Sequence, residues 1–346
     1  MVPEEVVREF RIAGLPVSME VVPSGHIHQS YKVQTDQAVY FLQKINHHVF
    51  RNVEGLMGNI QKATSHLSAR WVGGPYETLD LVPVRQGSPY LEWKGEYWRM
   101  FRFKEGMQSH DVPASTAEVF DAARAFAAFS EGLKDLSADT FSESIPGFQS
   151  MSLRLNQLEN AIRGQHDLKR ELSDELAFVE KVSGKFLELE GLWHSGQLPT
   201  RICHNDTKFN NVLFDKENQA KCVVDLDTVM PGILHFDLGD GLRTTASLAA
   251  EDEPDLRNVV IERERNDAYL AGYLEGFGGE ITSLEREWMP VSGAYMAFIM
   301  GIRFLADHFN GDVYYKTKFR GHNLNRSRCQ LHLTDLFLRQ AFESGT

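Results

Sequence analysis

The run His204-Asn205-Asp206-Thr207-Lys208-Phe209-Asn210-Asn211 sets a carboxylate and a carboxamide five residues apart, in the spacing H-x-D-x-x-x-x-N. Fourteen residues after Asn211 comes the acidic Asp225-Leu226-Asp227. That set suits phosphoryl transfer, which asks little covalent chemistry of a protein. It needs a carboxylate to take the proton of an attacking hydroxyl and oxygen ligands to hold magnesium on the phosphates. Asp206 is the candidate base, Asn211 and Asp225 the candidate Mg2+ ligands, and Lys208 could neutralise charge on the transferring group. His204 could fix the loop backbone through its ring. A polar turn could match four letters by chance. The apolar Val212-Leu213-Phe214 after the loop, and Val223-Val224 leading into Asp225, favour the functional reading. Asp227 could bind a second metal, orient substrate or cap a turn, while Asp237 and Asp240 suit holding the loop or capping a helix.

These residues need elements to position them. Residues 19–23, 30–35 and 39–45 read as consecutive antiparallel strands, and 79–84, 88–92 and 96–103 as further strands, the last pair turning near Lys94-Gly95. Leu56, Ile60, Ala63 and Leu67 recur at helical spacing, which predicts a helix over 53–71. After Lys104-Glu105-Gly106 the character changes: 115–134, 168–193, 259–277, 284–309 and 325–342 carry helical periodicity, interrupted by short apolar strands around the Asp206 loop. The expectation is an α+β protein of two lobes, a small antiparallel-sheet lobe over 1–103 and a larger, mainly helical lobe over 104–346. The substrate cleft is expected where the loop faces the small lobe. A length of 346 residues also exceeds one ordinary core. The first residues should form an amphipathic helix with Val6, Val7 and Phe10 inward and Gly14 at its end.

In the small lobe, Ser24 and Gly25 lie in a loop placed to cover nucleotide phosphates, although one glycine alone is a weak signal. Lys44 sits on the third strand, where a lysine could reach the α- and β-phosphates of ATP, with Glu54 the nearest helical partner. His26, His28, His47 and His48 lack metal-ligand spacing and read as surface or loop residues. In the large lobe Arg303 interrupts an apolar run, so it must either pair with Asp307 or project toward a substrate. Tyr314 and Tyr315 could line the same pocket.

Composition excludes several classes. With 42% hydrophobic and 24% charged residues the chain reads as soluble and globular, and a net charge of −12 argues against nucleic-acid binding. The acidic start is no signal peptide, and the apolar run 293–302 is too short to span a bilayer. Three cysteines without paired spacing suit reduced thiols and a cytoplasmic location. Monomer and homodimer both stay open.

Taken together, Gly25-His26-Ile27, Phe41 to Asn46, Trp98 to Phe103, the Asp206 loop, Val224-Asp225-Leu226-Asp227-Thr228-Val229-Met230-Pro231-Gly232 and Gly301 to Leu305 with Gly311 to Tyr315 carry a resemblance. The chain resembles the aminoglycoside phosphotransferase and choline kinase superfamily, and within it the N-acetylhexosamine 1-kinases. That resemblance implies a protein-kinase-like fold, ATP as co-substrate with Mg2+, Asp206 as base, Asn211 and Asp225 on the metal, and Lys44 on the nucleotide. It also implies Thr228, Arg303 and Tyr314 on an amino sugar, phosphorylated at its anomeric hydroxyl. The missing Asp-Phe-Gly and Ala-Pro-Glu sequences count against a protein kinase. Two alternatives stand beside this expectation. One is a kinase of the aminoglycoside or choline type. The other is a non-catalytic regulator that binds nucleotide or sugar.

Overall fold

In the computed structural model, residues 4–23, 27–278 and 280–343 are described. Ser24 and Gly25, expected over nucleotide phosphates, lie outside them. The chain forms two compact units: Met1–His110 with Gly132–Pro146 and Asn211–Pro231, and Asp111–Glu131 with Gly147–Asn210 and Gly232–Thr346.

The first unit is built on an antiparallel sheet. Its strands are β1 (Pro16–Val22), β2 (Gln29–Thr35), β3 (Val39–Ile45), β4 (Leu81–Val82), β5 (Leu91–Trp93) and β6 (Glu96–Arg102), in the order β1-β2-β3-β6-β4 with β5 also on β6. Lys94 and Gly95 both take positive φ, 53° and 79°, which lets a two-residue turn follow the strand twist between β5 and β6. Side chains alternate across the sheet. Tyr40, Leu42, Trp98 and Met100 therefore share one face, where they pack with Val6, Val7 and Phe10 around the short helix α1 (Glu4–Arg8). Gln43, paired with Arg99, points to the other face.

Helix α2 (Val53–Arg70) buries Leu56, Ile60, Ala63 and Leu67 and is capped by Asn52, whose side chain accepts from the Gly55 N–H. Its Asn59 amide donates to the Val229 carbonyl at 2.9 Å and to the Ser142 carbonyl at 2.7 Å, which ties the turn after Asp227 to the helix. A hairpin of Val212–Phe214 and Ala220–Val223 completes this unit.

The second unit is helical: α3 (Thr116–Gly132), α4 (Met151–Ile162), α5 (His166–Glu171), α6 (Ser173–His194), α7 (Leu234–Thr245), α8 (Arg263–Phe277), α9 (Ser283–Trp288), α10 (Ser292–Phe309) and α11 (His322–Glu343). Helix α10 is buried nearly throughout and packs on α4, α7 and α11. Its apolar length serves a protein core. The spans expected over 168–193 and 284–309 each divide in two, the second where a 3-10 turn carries Pro290, which cannot donate a helical hydrogen bond. Helices α4 and α7 lie outside the expected helical spans. Helix α7 carries Gly239 and Gly241, poor helix formers, yet both face neighbours so close that only glycine fits. A Cβ on Gly239 would lie 2.1 Å from the Ser292 carbonyl oxygen.

Candidate active site

In the helical unit the Asp206 loop is pinned by a carboxylate from α7. The backbone N–H groups of His204 and Asn205 donate to Asp237 at 2.9 and 2.7 Å, and the Thr207 hydroxyl donates to the Asp237 carbonyl at 2.6 Å. Asn205 sits at φ 63°, a left-handed conformation that asparagine tolerates better than most residues. The Gln149 amide donates to its carbonyl at 3.0 Å. The Asp206 N–H lies 3.3 Å from His204 Nδ1, and the His204 ring packs edge-on against Phe126 and Phe129. Burial pushes the Asp237 carboxyl up to about 6, against the pull of His204 and the two N–H donors. Held in this way, Asp206 keeps its side chain partly exposed, with Lys208 Nζ 3.0 Å from Oδ2. A partly exposed carboxylate with a lysine on it can accept a proton and present a positive charge to a phosphoryl group.

In the sheet-based unit the hairpin sets Val212 opposite Val223, and the Val224 N–H donates to the Asn211 carbonyl at 2.9 Å. Asn211 and Asp225 thus stand at one end of the same hairpin. Asp225 takes φ 59° and ψ 58°, a left-handed turn that directs the chain into the 3-10 turn Leu226–Thr228. An amide oxygen and a carboxylate are hard oxygen donors. Two of them suit Mg2+, which keeps several waters and takes its remaining ligands from phosphates, so the donor set fits that ion.

Asp227 is held by several partners within this unit. Arg99 binds it through both terminal nitrogens, Nη2 at 2.9 Å from Oδ2, and donates Nε to Gln43 at 2.9 Å. His28 Nε2 lies 2.6 Å from Oδ2, while its Nδ1 accepts from the Asn46 N–H at 3.0 Å. The side chains of His28, Arg99 and Asp227 are 6, 3 and 5% exposed. Burial opposes ionisation of Asp227, but the Arg99 guanidinium and the His28 ring hold its carboxyl well below the usual range. The Ser144 hydroxyl donates to its carbonyl at 2.7 Å. Of the three readings open for Asp227, this geometry favours an internal anchor for the turn. His28 is therefore not a surface histidine. Its ring stacks on Phe50. Sequence signals existed for Arg99, a lone charge among Trp98, Met100 and Phe101, and charges in such strands need partners.

The remaining expected residues divide. Thr228 is buried in the 3-10 turn after Asp225. Lys44 pairs with Glu96 at 2.7 Å rather than with Glu54. Its strand parity places it on the Trp98 face, opposite Gln43 and Arg99; the strand lysine on the Arg99 side is Lys32, across from Phe41 and 5.1 Å over the Phe103 ring. In the helical unit Arg303 does not pair with Asp307. Asp307 instead accepts from the Val313, Tyr314 and Tyr315 N–H groups and from Asn323. The Arg303 guanidinium lies over the rings of Phe148 and Tyr315, at 5.5 and 5.7 Å. Tyr315 packs on Phe304, whereas Tyr314 is 69% exposed.

Residues 18–286 match the family model described as the phosphotransferase enzyme family (APH). Among solved structures, an aminoglycoside phosphotransferase from Alicyclobacillus acidocaldarius is similar at 13% identity and a TM-score of 0.65, over 99% of this chain and 96% of the other. A spectinomycin phosphotransferase, solved with ADP and spectinomycin, is similar at 10% identity and a TM-score of 0.61, over 96% of each. An ethanolamine kinase of Plasmodium vivax is similar at 13% identity and a TM-score of 0.55, over 99% of this chain and 86% of the other. At these identities the likeness is one of fold.

Proposed function

Since the chain belongs to the phosphotransferase enzyme family, we propose that it transfers the γ-phosphoryl group of ATP to the anomeric hydroxyl of an N-acetylhexosamine. The small-molecule kinase is the family's part of that statement; the sugar is our reading. The anomeric hydroxyl is more acidic than an ordinary alcohol because of the ring oxygen, so a carboxylate base suffices. In this reaction the anomeric oxygen forms the new P–O bond, the bond to the β-phosphate bridging oxygen breaks, and the hydroxyl proton passes to Asp206. Lys208, which contacts Asp206, offsets charge on the phosphoryl group as it moves. Asn211 and Asp225 would hold Mg2+, which when bound neutralises and orients the phosphates. For the nucleotide, Lys44 is the residue the resemblance assigns, and Lys32, on the Arg99 face of the sheet, is a second candidate. The resemblance assigns Thr228, Arg303 and Tyr314 to the sugar.

One observation carries the choice of acceptor. Arg303 is flanked by Phe148 and Tyr315, and the guanidinium of Arg154 donates to the Phe148 carbonyl at 2.8 Å. Among the described residues no carboxylate pairs with either arginine. Such a wall repels a polyamine or choline and suits hydroxyls and an acetamide carbonyl, which accept hydrogen bonds. The overall charge of −12 points the other way, toward a cationic acceptor, but it is spread over the whole chain. The test is a panel of N-acetylglucosamine, N-acetylgalactosamine, unacetylated hexoses, choline and kanamycin, with phosphorus NMR of the product. An acid-labile anomeric phosphate is expected, and turnover of choline or kanamycin alone would overturn the reading.

A further inference from the structure

Arg154 and Arg303 present a surplus of charge that no carboxylate among the described residues pairs with. Arg154 lies in the first turn of α4, where a helix already favours negative rather than positive groups. Its Nη1 donates to Gln157 at 3.0 Å and Nη2 to the Phe148 carbonyl, while Nε is buried and has no partner among the described residues. Arg303 donates to the Met300 sulfur at 3.3 Å, a weak acceptor, and lies over the Phe148 and Tyr315 rings. Three carboxylates of the unit have other partners. Glu190 accepts from the Ser150 hydroxyl and the Ser152 N–H at the start of α4. Glu251 pairs with Arg243 and Arg326, and Asp307 holds the backbone of residues 313–315. Other half-buried arginines in the unit, such as Arg201 with Glu285, have a carboxylate. Burial, and then the neighbouring Arg303, lower Arg154 to about 10, which still leaves it charged at neutral pH.

Two half-buried positive charges sharing one phenylalanine are costly unless something negative offsets them. Arginine forks match the planar oxygens of carboxylates and phosphates, and the apolar flanks of Phe148 and Tyr315 strengthen such bonds by excluding water. We propose that Arg154 and Arg303 form a binding site for a single oxyanion, a carboxylate or a phosphate ester, borne by a sugar-like ligand. The sugar-like scaffold rests on the acceptor reading above; the anionic group rests on the arginine pair alone. Two sources share this chemistry. An acidic sugar would be an acceptor, and a phosphorylated sugar that is not turned over would be an inhibitor.

The experiment titrates the enzyme, saturated with Mg-ADP so that its nucleotide-phosphate groups are occupied, by calorimetry. The titrants are N-acetylglucosamine, its 6-phosphate, its 6-carboxylate analogue and inorganic sulfate, against wild type, Arg154→Gln and Arg154→Lys. At least one anionic sugar should bind wild type more tightly than its neutral parent. That advantage should fall about tenfold or more in Arg154→Gln, the usual size of a lost charge-assisted bond, and be partly kept in Arg154→Lys. ADP release then separates the sources, since turnover marks an acceptor and competitive inhibition without turnover marks an inhibitor. Neutral sugar binding without an anionic advantage, or an advantage indifferent to Arg154→Gln in a variant that melts like wild type, overturns the anion site and leaves the acceptor reading standing. Sulfate binding that needs Arg154 while no sugar binds does the reverse.

Discussion

Replacing Arg99 with methionine should expose what the buried ion pair does. The guanidinium gives Asp227 two charge-assisted hydrogen bonds, and both side chains are almost wholly buried. Removing one partner of a buried pair costs about 3–5 kcal/mol, because the remaining charge is left uncompensated. Here His28 still contacts Oδ2, so the lower end, about 3 kcal/mol, is expected. The sign with pH follows from the depressed carboxyl of Asp227. Its stabilisation is fully present above the unfolded value of about 3.9 and is lost as pH falls below it. The deficit of Arg99→Met should therefore be full at neutral pH and shrink in acid. Urea unfolding followed by tryptophan fluorescence is a suitable assay, since Trp98 neighbours Arg99 on the same strand. The double variant Arg99→Met/Asp227→Asn should recover most of the loss, with a coupling of about 2 kcal/mol or more. A single-variant cost under about 1 kcal/mol, or strict additivity, would refute the reasoning. Because Asp225 opens the same 3-10 turn, the variant should also need more Mg2+ for half-maximal activity.

Asp206→Asn should keep Mg-ADP binding by calorimetry and lose about a hundred- to ten-thousand-fold in turnover; full activity would mean that another group takes the proton. Lys32→Met should raise the KM for ATP more than Lys44→Met if the nucleotide lies on the Arg99 side of the sheet, which Lys32 shares and Lys44 does not; the opposite order would assign the nucleotide to Lys44. His235 is held down to about 4 by burial. Its contribution is full above the unfolded value of about 6.5 and is lost as pH falls through about 4, on the order of 3 kcal/mol. His235→Gln should flatten the acid side of the stability curve by that amount, and an unchanged slope would sink the assignment.

The two-part α+β architecture was legible because it follows from local periodicity. The strand over residues 39–45 and the helix beginning at Val53 lie where alternation and 3.6-residue spacing put them. Helix α7 was hidden because its sequence is poor in helix formers; its glycines answer to Ser292 and Tyr269, which are far away along the chain. The Arg303–Asp307 spacing suggested a helical ion pair, but Asp307 satisfies three backbone N–H groups that only the fold brings to it.

By itself, the sequence determined the Asp206 loop, its spacing to Asn211 and Asp225, and the family, because these are properties of residue type and separation along one strand of chain. Only the fold set the partners: Arg99 and His28 for Asp227, Asp237 for the loop backbone and, among the described residues, no carboxylate for Arg154 and Arg303. The reason is physical. A buried charge is stabilised by whatever lies within about 3 Å of it, and chain separation carries no information about that distance. His28 and Asp227 stand 199 residues apart and share a hydrogen bond.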